Sequence, residues 1–283
     1  MTPELKEKLR NLANKYENKD FIKEDPSQFL YWYDLKGDGP LAVELSSFIA
    51  AMLAFGSRKQ FIPKIQEILI QADGFNANKG GQTPGTPVKN DDRGQPPQSI
   101  VNWLLAGALT FPHGTQKFYR FYSYDDMHVF FGELADILKK YGSLGQAVQK
   151  KMQGGTDPTE GTDPSNNSKN PAEYLSSLFP KSKIVPKGKN SANKRIHMFL
   201  RWMVRQNSPV DIGIWTWVKP ADLLIPLDVH VMQEAVGLGL LPQKASASRK
   251  TASFLTSAME EVFPGDPARA DFALFGLGID DKI

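Results

Sequence analysis

Apolar residues recur at i, i+3, i+4 intervals along almost the whole chain, and this period constrains the fold more than any other feature. It runs through residues 3–16, 41–55 (Leu41, Leu45, Phe48, Ile49, Met52, Leu53), 61–72, 99–110, 125–140, 171–179, 191–206, 229–238, 246–263 and 268–277. Each stretch can lay one apolar stripe against a neighbour as an amphipathic helix, whereas a half-buried strand needs strict alternation. Alternation of strand length is almost absent; Leu223-Leu224-Ile225 is the nearest case and is too short to carry a sheet. The expected architecture is all-α, with about ten helices. The 283 residues are 41% hydrophobic and 11% aromatic, enough for a sizeable core arranged as one large domain or two lobes.

Two segments interrupt the period. Residues 74–98 are dense in Gly, Pro, Asn and Asp, and residues 154–170 contain a short tandem repeat, Gly155-Thr156-Asp157-Pro158 and Gly161-Thr162-Asp163-Pro164. Neither can bury enough apolar area to offset its ordering entropy, so both read as flexible surface insertions. The N-terminus is charged throughout and has no apolar export core. The longest apolar run, Phe48 to Phe55, is eight residues, against the ~20 that span a bilayer. The expectation is a soluble, cytoplasmic protein with no membrane partner. Cysteine is absent, which removes disulfides, thiolate nucleophiles, Cys-type zinc sites and cysteine-ligated iron–sulfur clusters together.

The formal charge of +3 hides an asymmetry. Between Lys181 and Arg205 lie eight basic residues (Lys181, Lys183, Lys187, Lys189, Lys194, Arg195, Arg201, Arg205) and no acidic one, which leaves the rest of the chain at −5. On a helix over 191–205, Arg201 and Arg205 fall within about 20° of Lys194, on one stripe. Ile196, Phe199, Leu200 and Met203 fill the opposite side. The preceding residues 179–190 are a turn punctuated by Pro180, Pro186 and Gly188. A helix, a basic turn and a second helix edged with cations can present backbone N–H groups and ammonium groups to consecutive phosphates. A solvated basic face is the plainer alternative.

GxxxxGK[ST], GxSxG, HExxH and GxGxxG are all absent, and His113, His128, His197 and His230 show no metal-ligand spacing. No metal site is expected. In Ile225-Pro226-Leu227-Asp228-Val229-His230-Val231, Asp228 stands where a helix starting at Val229 takes its N-cap. It is either a capping carboxylate or one held at a helix start to stabilise positive charge or move a proton. Lys194 is a candidate partner, because crowding by Arg195, Arg201 and Arg205 would favour its neutral, nucleophilic form. Local sequence does not choose Lys194 over Lys189 or Lys187.

Four segments in order resemble the helix–hairpin–helix superfamily of DNA glycosylases. Residues 45–60, ending Phe55-Gly56-Ser57-Arg58-Lys59-Gln60, are similar to the helix and loop that face the lesion. Residues 171–205 resemble the helix–hairpin–helix with its lysine. Pro226-Leu227-Asp228-Val229-His230-Val231 resembles the aspartate motif, usually Asp-Thr-His-Val-x-Arg. Asp271-Phe272-Ala273-Leu274-Phe275-Gly276-Leu277-Gly278 resembles the helix before the iron–sulfur loop of endonuclease III relatives. Lys194-Arg195, Phe199 to Arg205, Val210-Asp211-Ile212-Gly213-Ile214-Trp215 and the Phe-Ala-Leu-Phe-Gly-Leu-Gly ending are also similar to a bacterial family of conserved hypothetical proteins. The 34-residue spacing from Lys194 to Asp228 is close to that of archaeal 8-oxoguanine glycosylases. The chain departs from the superfamily in lacking Leu-Pro-Gly-x-Gly in the hairpin and in carrying Val229 for Thr and Gln233 for Arg.

The resemblance implies a two-lobed, glycosylase-like unit over 1–283 with a cleft between the lobes. One lobe spans 41–180 and the other 1–30 plus 195–283, with the helix–hairpin–helix at 171–205. It implies a base-excision enzyme acting on double-stranded DNA, with an oxidised purine flipped from the stack, no cofactor and no iron–sulfur cluster, localised to the cytoplasm with the nucleoid. Lys194 would be the nucleophile and Asp228 its carboxylate partner, with AP-lyase activity as a companion. Arg58, Lys59, Lys187, Lys189, Arg195, Arg201 and Arg205 would contact DNA. Trp202, Trp215 and Trp217 are either a base pocket or core anchors. The alternatives are a non-catalytic binder of DNA structure or lesions with the same fold, and a helical scaffold whose basic helix meets an acidic protein.

Overall fold

The computed structural model describes residues 1–23, 25–75, 99–154 and 170–280; residues 76–98 and 155–169, where most of the two expected insertions fall, lie outside them. The described chain is mostly helical. In order it forms α1 (Pro3–Tyr16), α2 (Pro40–Leu53), α3 (Arg58–Asp73), α4 (Ser99–Leu105), the two-stranded antiparallel hairpin β1 (Lys117–Tyr119) and β2 (Tyr122–Ser123), α5 (Tyr124–Tyr141) and α6 (Leu144–Met152). After these come α7 (Pro171–Ser177), α8 (Lys194–Val204), α9 (Val229–Gly237), α10 (Arg249–Met259) and α11 (Ala270–Asp280), with short 3-10 turns between them. Among the described residues no helix is long and apolar enough to cross a membrane.

The chain divides into two compact units, Gln28–Pro186 and a second made of Met1–Ser27 with Lys187–Ile283. In the first unit α2 is buried along nearly its whole length. Its Glu44 is buried and takes the Leu144 and Gly145 N–H groups at 2.8 and 3.0 Å, satisfying the orphan donors that start α6. Glu133 of α5 accepts the Lys181 and Ser182 N–H groups in the turn after α7, at 2.7 and 2.9 Å. Both carboxylates leave water for several charge-assisted bonds, which is what makes a buried acid tolerable.

In the second unit α1 packs on α11. Leu9, Leu12, Ala13 and Tyr16 meet the apolar face that carries Ala273, Leu274 and Leu277. Gly276 is required there, because a Cβ would run into the Tyr16 ring. Local side chains cap several helices. Thr2 accepts the Leu5 N–H to open α1, Ser123 and Asp126 close a capping box on α5, and Ser248 caps α10 through Thr251 N–H.

The structure departs from the periodicity in several places, and the 246–263 stretch is helical only over Arg249–Met259. The 99–110 stretch is helical only to Leu105, because Gly107 and Ala108 turn left-handed (φ 79° and 51°) and bond back to Leu104 and Trp103. The 191–206 stretch is helical over Lys194–Val204. Helix α6 and the β1–β2 hairpin are additions, and Leu223-Leu224-Ile225 is no strand.

Candidate functional site

Lys194 opens α8 directly after Asn193, which is left-handed at φ 44° and ψ 43°. The turn before it is fixed within the second unit. The Asn193 side-chain amide donates to Gly188 O at 2.8 Å, Asn190 O accepts the Arg249 N–H at 2.9 Å, and Ser191 bridges to Ser248 at the start of α10. Lys187 and Lys189 are exposed on this turn, and Arg195 is half-buried beside Lys194.

Asp228 is the N-cap of α9, its Oδ1 accepting the Val231 N–H at 2.9 Å. Its Oδ2 accepts from Lys194 Nζ at 2.6 Å. Capping and pairing, treated as alternatives from sequence, are therefore held by one side chain with one oxygen each. The Lys194 and Asp228 side chains are 34% and 27% exposed, so the pair is reachable from solvent. Burial pushes the Asp228 carboxyl upward, but the Lys194 charge and hydrogen bond, the Val231 N–H and His230 outweigh it and hold Asp228 below its ordinary value. Held low, Asp228 stands as a carboxylate against the Lys194 side chain.

The other expected cations of the same helix behave differently. Arg201 and Arg205 are buried, 5% and 3% exposed, and each is enclosed by carboxylates. Arg201 donates from Nε to Asp211 at 3.3 Å and from Nη1 to Asp271. Arg205 donates to Asp266 at 2.8 Å, to Asp211, and to Glu17 at 2.7 Å, while Glu17 also takes Arg269 Nε at 2.7 Å. The Phe272 ring lies under both guanidiniums, with centroids 4.2 and 5.4 Å away. The expectation that Arg201 and Arg205 grip phosphates is corrected: their donors are spent on acids from α11 and from the turns around it.

The acids of this network titrate unevenly. Burial raises Asp271 to about 6, although Arg201 and Lys194 pull it down; Asp228 and Asp25 add to the rise. Burial also raises Asp211, against the pull of both arginines. Glu17 goes the other way: burial is outweighed by Arg205, Ser208 and Arg269, and its carboxyl is lowered. Asp211 and Asp271 stood in the sequence only as members of longer matching blocks. Their role has no local signal, because their partners arrive from elsewhere in the chain.

Trp202 is fully buried and Trp215 nearly so, with Phe199 edge-on to Trp215 at 5.4 Å. They are core anchors, one of the two roles that the sequence left open for them. Trp217 is half-buried and stacked on Trp215 at 5.4 Å. His197 of α8 is buried, its Nδ1 has no hydrogen-bond partner, and burial with the nearby Arg249 charge lowers it to about 4, so it is neutral. Among the described residues no group of three or more His, Asp or Glu side chains is arranged to hold a metal ion. Arg58 and Lys59 belong to the other unit, exposed in the first turn of α3.

Residues 92–280 match the sequence profile of a family described as Protein of unknown function (DUF2400), a span that includes Lys194, Asp228 and most of the arginine–carboxylate network. No curated protein and no solved structure matches the chain.

Proposed function

The chain belongs to the DUF2400 family, and for this member we propose a DNA base-excision enzyme, a glycosylase with AP-lyase capacity acting on an oxidised purine in duplex DNA. The reading rests on the resemblance to helix–hairpin–helix glycosylases, including their two-lobed fold, and one observation carries it within the structure. Lys194 Nζ and Asp228 Oδ2 lie 2.6 Å apart at two helix starts, each about a third exposed.

A flipped nucleotide seated over the pair excludes water, and loss of water favours neutral amine and carboxylic acid over the ion pair. Asp228 takes the Nζ proton. The Nζ lone pair then forms a bond to C1′ of the deoxyribose, while the C1′–N glycosidic bond breaks and its electron pair leaves with the base, which takes up a proton. Opening of the sugar ring yields a Schiff base. Elimination of the 3′-phosphate from it cuts the strand, and water returns the free lysine. Asp228 also offsets positive charge at the sugar. Lys187, Lys189 and Arg195 hold phosphates beside the pair. The setting is the cytoplasm, on nucleoid DNA.

A second reading is favoured by the same geometry: both Asp228 oxygens are already occupied within the chain, as in a structural ion pair. On that reading the protein binds DNA structure or lesions and does not cut. Borohydride trapping on duplexes bearing 8-oxoguanine, uracil or an abasic site separates the two. The enzyme gives a covalent adduct that disappears in Lys194→Gln and falls steeply in Asp228→Asn. No adduct and no base release on any of the three sinks the enzyme reading.

A further inference from the structure

The first unit carries an aromatic and cationic tip outside the Lys194–Asp228 site. Strands β1 and β2 pair Tyr119 with Tyr122, leaving Arg120 and Phe121 as the two-residue tip, with Arg120 left-handed at φ 50°. Phe121 is 69% exposed. Its ring stacks on Phe55, which ends the segment after α2, at 6.0 Å and 18°. Tyr119 and Tyr122 clamp Phe55 edge-on at 5.1 and 5.5 Å, and the Tyr119 hydroxyl donates to Phe55 O. The Arg120 guanidinium lies over both phenylalanine rings, 5.7 and 5.3 Å from their centroids. Gly56, at φ 85°, is needed for this, since a Cβ there would meet Arg120 Nη1 and the Tyr119 hydroxyl. The exposed Phe121 ring thus contacts Phe55, Tyr122 and Arg120.

The two segments that form the tip are basic, although Lys64 is paired with Glu67 at 2.8 Å and Asp125 and Asp126 follow in the first turn of α5. Residues 54–64 and 115–124, which meet at this tip, contain Arg58, Lys59, Lys64, Lys117 and Arg120 and no acid. Arg58 and Lys59 occupy the first turn of α3, whose N-cap Ser57 makes no side-chain cap bond and which holds no acid there. A flat ring with a guanidinium on it and several cations beside it is complementary to an aromatic base flanked by phosphates.

We propose that the Phe121–Phe55–Arg120 tip is a docking platform for an unpaired nucleobase, stacked on the exposed face of Phe121, with Arg58 and Lys59 on its flanking phosphates. It deepens the nucleic-acid reading above and rests on it only for the class of ligand, because the platform belongs to a different unit from the lysine.

The probe is fluorescein-labelled single-stranded dT12, titrated by anisotropy with wild type, Phe121→Ala, Phe121→Leu and Phe121→Trp, each checked for an unchanged melting temperature. Phe121→Ala and Phe121→Leu weaken binding about tenfold, the scale of one base–aromatic stack. Phe121→Trp keeps wild-type affinity, and its extra indole emission is quenched by dT12. Wild-type affinity in Phe121→Leu, or unquenched emission in Phe121→Trp, overturns the platform. If wild type still forms the borohydride adduct in that case, only the platform fails. If dT12 binding depends on Phe121 but no adduct forms, only the enzyme reading fails. A wild type that binds neither dT12 nor duplex overturns both.

Discussion

The two ends of α8 carry cations of opposite fate. Lys194, in its first turn, meets one carboxylate and stays a third exposed. Arg201, two turns on, and Arg205, just past its end, are buried among Glu17, Asp211, Asp266 and Asp271. In the sequence these residues form one basic stripe. A guanidinium offers a fork of fixed donors and is weakly hydrated, so it suits a buried multi-acid site; an ammonium on a flexible stem suits a position where the proton must move. One end of the helix is therefore scaffold and the other is available for chemistry.

The largest test of this contrast removes a scaffold charge. Arg205→Ala leaves Glu17, Asp211 and Asp266 without their shared cation, and urea unfolding should show a loss of about 3–5 kcal/mol. A loss below about 1 kcal/mol would mean that the buried end is no more structural than the exposed one.

The next effect is in pH. Asp271 is raised in the folded chain, so the stability it contributes is full below its ordinary value of 3.8 and is lost as pH rises through about 6. His197 is lowered, so its contribution is full above 6.5 and is lost as pH falls toward about 4. The two slopes oppose one another between about 4 and about 6, each on the order of 2–3 kcal/mol in total. Asp271→Asn should expose a loss of stability on acidification, and His197→Leu a loss on raising the pH. Melting curves across this range check both, and parallel curves for all three proteins would refute the assignment.

Lys194→Gln should change stability by no more than about 1 kcal/mol, because a pair this exposed is screened by solvent. The same variant should remove the covalent adduct entirely. A large destabilisation would instead place Lys194 with the scaffold. The smallest effect belongs to Lys187→Ala and Lys189→Ala, within about 0.5 kcal/mol of wild type in unfolding. Each should lower the log–log salt slope of duplex binding by roughly 0.9. An unchanged slope removes that residue from the interface.

Much of this was legible in one dimension. The α1 boundaries follow from Thr2, Pro3 and an apolar stripe, and Asp228 before Val229 marks the start of α9. Helix α6 escaped the periodicity because it is only nine residues long, although Ser143 caps it locally through the Gln146 N–H; the Glu44 carboxylate that satisfies its first N–H groups lies 100 residues earlier. The β1–β2 hairpin was hidden for a related reason: its strands are too short to show a period, and contacts with Phe55 hold its tip. The lysine–aspartate pairing came from the family resemblance, since nothing in residues 187–195 alone distinguishes Lys194 from its neighbours.

What the sequence determined by itself was most of the helices and the Asp228 cap of α9, because a helix depends on bonds four residues apart and on a stripe of period 3.6. What the tertiary structure alone decided was which cations of a single basic run would be buried. That depends on acids 188, 61 and 70 residues away, Glu17, Asp266 and Asp271, and on how much water remains around each pair. Charge is a property of the residue, but its role is set by the dielectric and the partners that folding brings to it.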